Sequence, residues 1–104
     1  MYKEILEKHN VEQTPEFTLS VLTSEVGKLH QMYYRRLRFG KEGYLGDEKI
    51  TLGDTISMAG LLAEQRGCDL EQLKEEGLQR FDERIKEVKE DEIKRRYGDS
   101  PGGN

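Results

Sequence analysis

Leu70, Leu73, Leu78, Phe81, Ile85 and Val88 recur at intervals of three to five residues, and the pattern continues more loosely to Ile93 and Tyr97. At about 100° per residue, such a set makes one apolar stripe along a long helix. Strand side chains alternate between two faces, so a strand has no use for this spacing. Asp69 stands just before the stripe as an N-cap, with Gln72 three residues on as its capping-box partner. A stripe this long exceeds what one thin helical bundle covers. Part of it is expected to be buried between subunits.

The rest of the chain reads the same way. No segment alternates apolar and polar residues long enough to suggest a strand, so the fold class is all-α. A short helix is expected over about Tyr2 to His9. Thr14-Pro15-Glu16 is a strong start signal: Thr accepts from orphan amides, Pro is tolerated at the first helical position, and an acid suits the positive helix end. That helix should run from Glu16 to about Arg38, where Arg35, Arg36 and Arg38 meet the negative end of the dipole before Gly40. Gly40, Gly43 and Gly46 punctuate a loop ending at Asp47, the expected cap of a helix from about Glu48 to Arg66. Gly67 should stop it.

The length of 104 residues supports one domain, expected over residues 1–97 with a flexible tail at 98–104. Only 34% of the residues are hydrophobic, with two Ala and no Trp, so the core is thin and a homodimer or homotetramer is expected. Mean hydropathy is −0.88, but the apolar residues are clustered, which argues for a folded chain. The longest apolar or small run, Ile56 to Ala63, falls far short of the roughly 20 residues of a membrane span. Charges interrupt the first nine residues, unlike a secretory signal, and a cytoplasmic location is expected. A net charge of −4 counts against general nucleic-acid binding. Cys68 is the single cysteine, and only His9 and His30 accompany it, so neither an intrachain disulfide nor a thiolate zinc site is expected.

Two acids fall where apolar residues are expected. On the helical wheel Glu25 lies among Val21, Leu22, Val26, Leu29, Met32 and Tyr33, and Asp54 lies between Ile50, Met58 and Leu61. An isolated carboxylate is costly to bury and needs a metal, a cation or hydrogen-bond donors. Two core-facing acids on neighbouring helices could hold a metal, or each could be satisfied by a nearby cation or amide.

Four stretches carry a family resemblance: Ser24-Glu25-Val26-Gly27-Lys28-Leu29, Leu52-Gly53-Asp54, Arg66-Gly67-Cys68-Asp69-Leu70-Glu71-Gln72-Leu73, and Arg80-Phe81-Asp82-Glu83-Arg84. From about Thr18 to Val88 the chain resembles the MazG-like all-α nucleoside triphosphate pyrophosphohydrolases. The resemblance implies a MazG-like helical bundle of three long helices plus the short N-terminal one, assembled as a homo-oligomer. It also implies cleavage of a (d)NTP to (d)NMP and pyrophosphate, with magnesium held by an ExxE and an ExxD motif. Here these read Glu25-Val26-Gly27-Lys28 and Thr51-Leu52-Gly53-Asp54, with residues 29 through 50 between them. Glu25 and Asp54 are thus the implied metal ligands and Arg80 and Arg84 the implied phosphate-binding cations, with Lys28 a further candidate to hold phosphate from its own charge.

Lys28 and Thr51 stand where the second and third acids belong. Magnesium prefers oxygen donors with compensating negative charge, and an ammonium beside the site repels it. Metal binding and hydrolysis are therefore expected to be weakened or lost. The competing reading is a non-catalytic protein that binds nucleotides or acts by assembly. Glu42, Asp47, Glu48 and Glu64 do not occupy the family's positions and read as caps or solvated surface. Arg80 and Arg84 read equally as an exposed face paired with Glu76 and Glu83. Tyr33 to Lys41 interleaves aromatic and basic residues, which would suit a nucleic-acid accessory role, or simply a helix end with favourable cations.

Overall fold

Thr14 begins the largest element as its chemistry dictates: its Oγ1 accepts the Phe17 N–H at 3.1 Å, and Pro15 occupies the first helical position. The structure, a computed structural model, describes residues 1–40 and 45–98. These hold four helices, α1 (Tyr2–Lys8), α2 (Pro15–Phe39), α3 (Leu45–Gln65) and α4 (Leu70–Tyr97), and no strand among the described residues. The all-α class follows. No helix among the described residues is long and apolar enough to cross a membrane.

α2 ends as expected at Gly40, whose φ of 64° is left-handed and whose N–H reaches Arg36 O at 3.0 Å. α3 departs from expectation at its start. It begins at Leu45, three residues before Glu48, so Asp47 lies in the first helical turn instead of capping it. Its charge still suits the positive helix end. The expected loop glycine Gly43 and Glu42 lie outside the described residues, as do Lys41 and the tail from Asp99. α3 closes before Gly67, at φ 73°, with Gly67 and Cys68 amides returned to the carbonyls of Glu64 and Ala63.

The chain divides into two compact units, one running from Met1 to Leu70 and the other from Glu71 on. In the first, α2 and α3 form an antiparallel hairpin. Arg36 pairs with Glu48 near the connection, at 3.5 Å, and the Gln65 side chain donates to the Gln13 carbonyl at the far end, at 2.7 Å. Among the buried and half-buried residues, Thr18, Leu22, Glu25, Leu29, Met32 and Arg36 make a stripe on α2, and Glu48, Thr51, Thr55, Met58, Leu62 and Gln65 one on α3, with buried Leu61 next to it. Both sets step by three and four residues, the spacing of a helix-helix seam.

This seam corrects the sequence reading of α3. Asp54 and Ile50 are exposed, while Thr51 is buried. Apolar residues surround α3 on nearly every side, so its own wheel does not select a face, and contact with α2 selects the one through Thr51 and Thr55. On α2, Val26 and Tyr33 were expected inside, but both are about half exposed at the seam's edges. The core is thin: Leu61 is the one buried hydrophobic side chain among the described residues, beside buried Thr18, Glu25 and Thr51.

α1 is held to α3 by two devices. Glu64 accepts the Tyr2 and Lys3 amides, at 3.2 and 2.8 Å, and lies 3.3 Å from the Met1 amino group. The Tyr2 ring lies over Gly60, where an added Cβ would run into it. In the second unit, α4 carries i,i+3 and i,i+4 ion pairs on its surface, among them Lys86–Asp82 at 3.2 Å and Arg96–Glu92 at 2.9 Å.

Candidate functional site

Glu25 is the acid that the hairpin buries. Its place on the three-four repeat of α2 turns it into the seam with Leu22 and Leu29, and it is only 8% exposed. A carboxylate there needs compensation. Lys28 supplies it from one turn further along the same helix: Lys28 Nζ donates to Glu25 Oε1 at 3.0 Å. The ammonium keeps more than half of its side chain in solvent, so the pair joins a buried acid to a wet cation.

The other motif splits between inside and outside. Thr51 faces inward, and its hydroxyl donates to its own helix at Asp47 O, 3.0 Å away. That bond satisfies the hydroxyl without a ligand. Asp54 is exposed. Among the described residues no group of three or more His, Cys, Asp or Glu side chains is arranged to hold a metal. More telling is the chemistry of the donors present: one carboxylate already neutralised by an ammonium and one threonine turned to its own backbone do not fit magnesium.

The implied phosphate-binding cations divide between the two units. Arg80 and Arg84 are exposed on α4, in the second unit, and Glu76, which was expected to pair with them, accepts from Gln72 at 3.1 Å. Lys28 instead lines a shallow open groove along α2 with Ser24, Gly27, Gln31, Met32 and Arg35. Two cations and two neutral polar side chains there could receive an anion.

The aromatic-basic cluster is used within the fold. Arg36 stacks over the Tyr33 ring at 4.7 Å and pairs with Glu48, while the Tyr33 hydroxyl donates to the same carboxylate. That bond, with the negative charge of Glu48, raises the Tyr33 phenol above its ordinary value of 10.0. Arg38 lies about 6 Å from the Tyr34 and Phe39 rings. Sequence reading missed the Arg36–Glu48–Tyr33 network. Extending the three-four repeat from Glu25 through Leu29 and Met32 would have reached Arg36 and signalled a second charge at the seam. Glu64 was likewise read as surface, though the Lys3 amide, followed by that of Tyr2, lowers its carboxyl below the usual value despite opposing desolvation. Compared with known proteins, the chain matches no family model, no curated protein and no solved structure.

Proposed function

We propose that this chain is a MazG-like helical protein, one domain over residues 1–97 and a homo-oligomer, whose metal-dependent (d)NTP pyrophosphohydrolase site has lapsed into an internal ion pair. The observation that carries the reading is the Lys28 ammonium 3.0 Å from Glu25. In the resembled family that position holds an acid, and both acids serve the metal. Here a fixed cation occupies the place of the mobile one. Thr51 gives the same signal on α3, its hydroxyl engaged by backbone. Asp54 lies in solvent, where a carboxylate costs little.

What remains is a binding and assembly protein. The groove beside the pair favours nucleotides as its ligands, because Lys28 and Arg35 provide positive charge next to Gly27, where no side chain blocks approach. The reading is tested by pyrophosphate release from a panel of (d)NTPs together with calorimetric titration of manganese. The expected result is little turnover and no metal site tighter than about millimolar, the weak end of carboxylate cation sites. Robust hydrolysis abolished by Glu25→Gln would return the protein to the enzymes.

A further inference from the structure

The stripe on α4 has a symmetry that a lone helix does not need. Leu78, Phe81, Ile85 and Val88 are all about half exposed or more, and they step by three, four and three residues. Six of the eight stripe positions have an apolar mirror image about Glu83, Phe81 with Ile85, Leu78 with Val88, and Leu73 with Ile93, while at the two ends Leu70 falls opposite Arg96 and Tyr97 opposite Asp69. An isologous contact requires this arrangement, because residue i of one copy meets j of the other while j meets i. A parallel pair places each residue against itself and does not require it.

Charge selects the same orientation. Continuing the three-four repeat outward from Leu78 and Val88 reaches Lys74 and Glu92, then Glu71 and Arg95. In a parallel pair, each of these seam positions would oppose its own charge. In an antiparallel pair centred on Glu83, Lys74 faces Glu92 of the second copy and Glu71 faces Arg95. The halves of the helix agree, with five acids and two bases over residues 71–83 but four acids and six bases over 84–97. Asp82 and Arg84 meet their own kind beside the two-fold, a cost that solvent and salt screen.

We infer that α4 pairs antiparallel with the α4 of a second copy about a two-fold axis at Glu83, with Leu78 packed against Val88 and Phe81 against Ile85 of the partner. The pairing rests on the homo-oligomer of the proposed function and is independent of the Glu25 site.

Site-directed crosslinking tests it. In full-length chain carrying Cys68→Ser, Leu78→Cys and Val88→Cys are made as separate proteins, mixed, allowed to exchange subunits and oxidised. Positions 78 and 88 meet across the two-fold, whereas 78 and its own copy lie ten residues apart along the axis, about 15 Å, beyond the roughly 7 Å Cα separation a disulfide tolerates. The expected result is at least tenfold more disulfide-linked dimer in the mixture than in either protein alone, with the same pattern for Phe81→Cys and Ile85→Cys. Light scattering of the parent should give an even multiple of 12.1 kDa. Crosslinking of 78 to 78 would establish a parallel pair and overturn the inference. An oligomer with no crosslinked mixture would overturn this pairing and leave the homo-oligomer standing, while a monomer at micromolar concentration would overturn both.

Discussion

Replacing Lys28 by Met keeps an unbranched, helix-compatible side chain and removes only the ammonium 3.0 Å from Glu25. At that distance, two unit charges attract by about 1.4 kcal/mol in bulk water and about 5.5 kcal/mol at an effective dielectric constant of 20. The Glu25 side chain is 11% exposed and that of Lys28 58%, so solvent around the ammonium draws the value toward the lower figure. Surface pairs contribute about 0.2–1 kcal/mol, whereas stranding one partner of a fully buried pair costs about 3–5 kcal/mol. Lys28→Met falls between them, at a loss of about 1–2 kcal/mol. For a unit of this size, that lowers Tm by about 4–16 °C. Thermal melts followed by circular dichroism at pH 7 measure the loss, and a double-mutant cycle with Glu25→Gln isolates the pairwise part, expected near 1 kcal/mol. Lys28→Glu with Thr51→Glu should be destabilised further without metal and recover with magnesium, because the two introduced acids repel buried Glu25 until a cation joins them. Stability within about 0.5 kcal/mol of the parent for Lys28→Met, with no coupling to Glu25, would refute the argument that this ammonium neutralises a buried acid.

Gly60→Ala should destabilise despite a helix-propensity gain of about 0.5–1 kcal/mol, because its methyl displaces the Tyr2 ring; hydrogen exchange should show α1 amides losing protection, and a net rise in Tm would refute the clash. Glu64 should titrate below the ordinary carboxylate value of 4.5 by NMR, since amide hydrogen bonds favour its charged form. Its folded value is depressed, so its contribution to α1 docking is present above the ordinary carboxylate value of 4.5 and is lost as pH falls through the lower folded value. Glu64→Gln should remove that acid dependence. Tyr33 should ionise above its ordinary value of 10.0 in an ultraviolet titration, and Tyr33→Phe should delete that late step. Its raised value makes its contribution complete below pH 10 and lost as pH rises through the folded value.

Local chemistry determined where α2 begins and ends and where α3 stops, though not where α3 starts. Thr14, Pro15, Gly40 and Gly67 act within one turn of their own backbone, so their effects are legible without knowing what the helices touch. The inward position of Glu25 was legible too, because its apolar neighbours at i−3, i−4 and i+4 leave α2 one clear face. α3 offered no such guide. Ile50, Leu52, Ile56, Met58, Leu61 and Leu62 ring the helix, so burial of Thr51 in preference to Asp54 was decided by the approach of α2, and one residue's rotation moved an expected ligand into solvent. Spacing alone placed Lys28 one turn from Glu25, but the fold decided that its ammonium is held against a carboxylate shielded from water. Glu64 could be recognised only in three dimensions, since the amides it accepts belong to the other end of the first unit, some sixty residues earlier in the chain. Periodicity is a property of one helix, whereas which arc is buried and which charges are desolvated are properties of the pair.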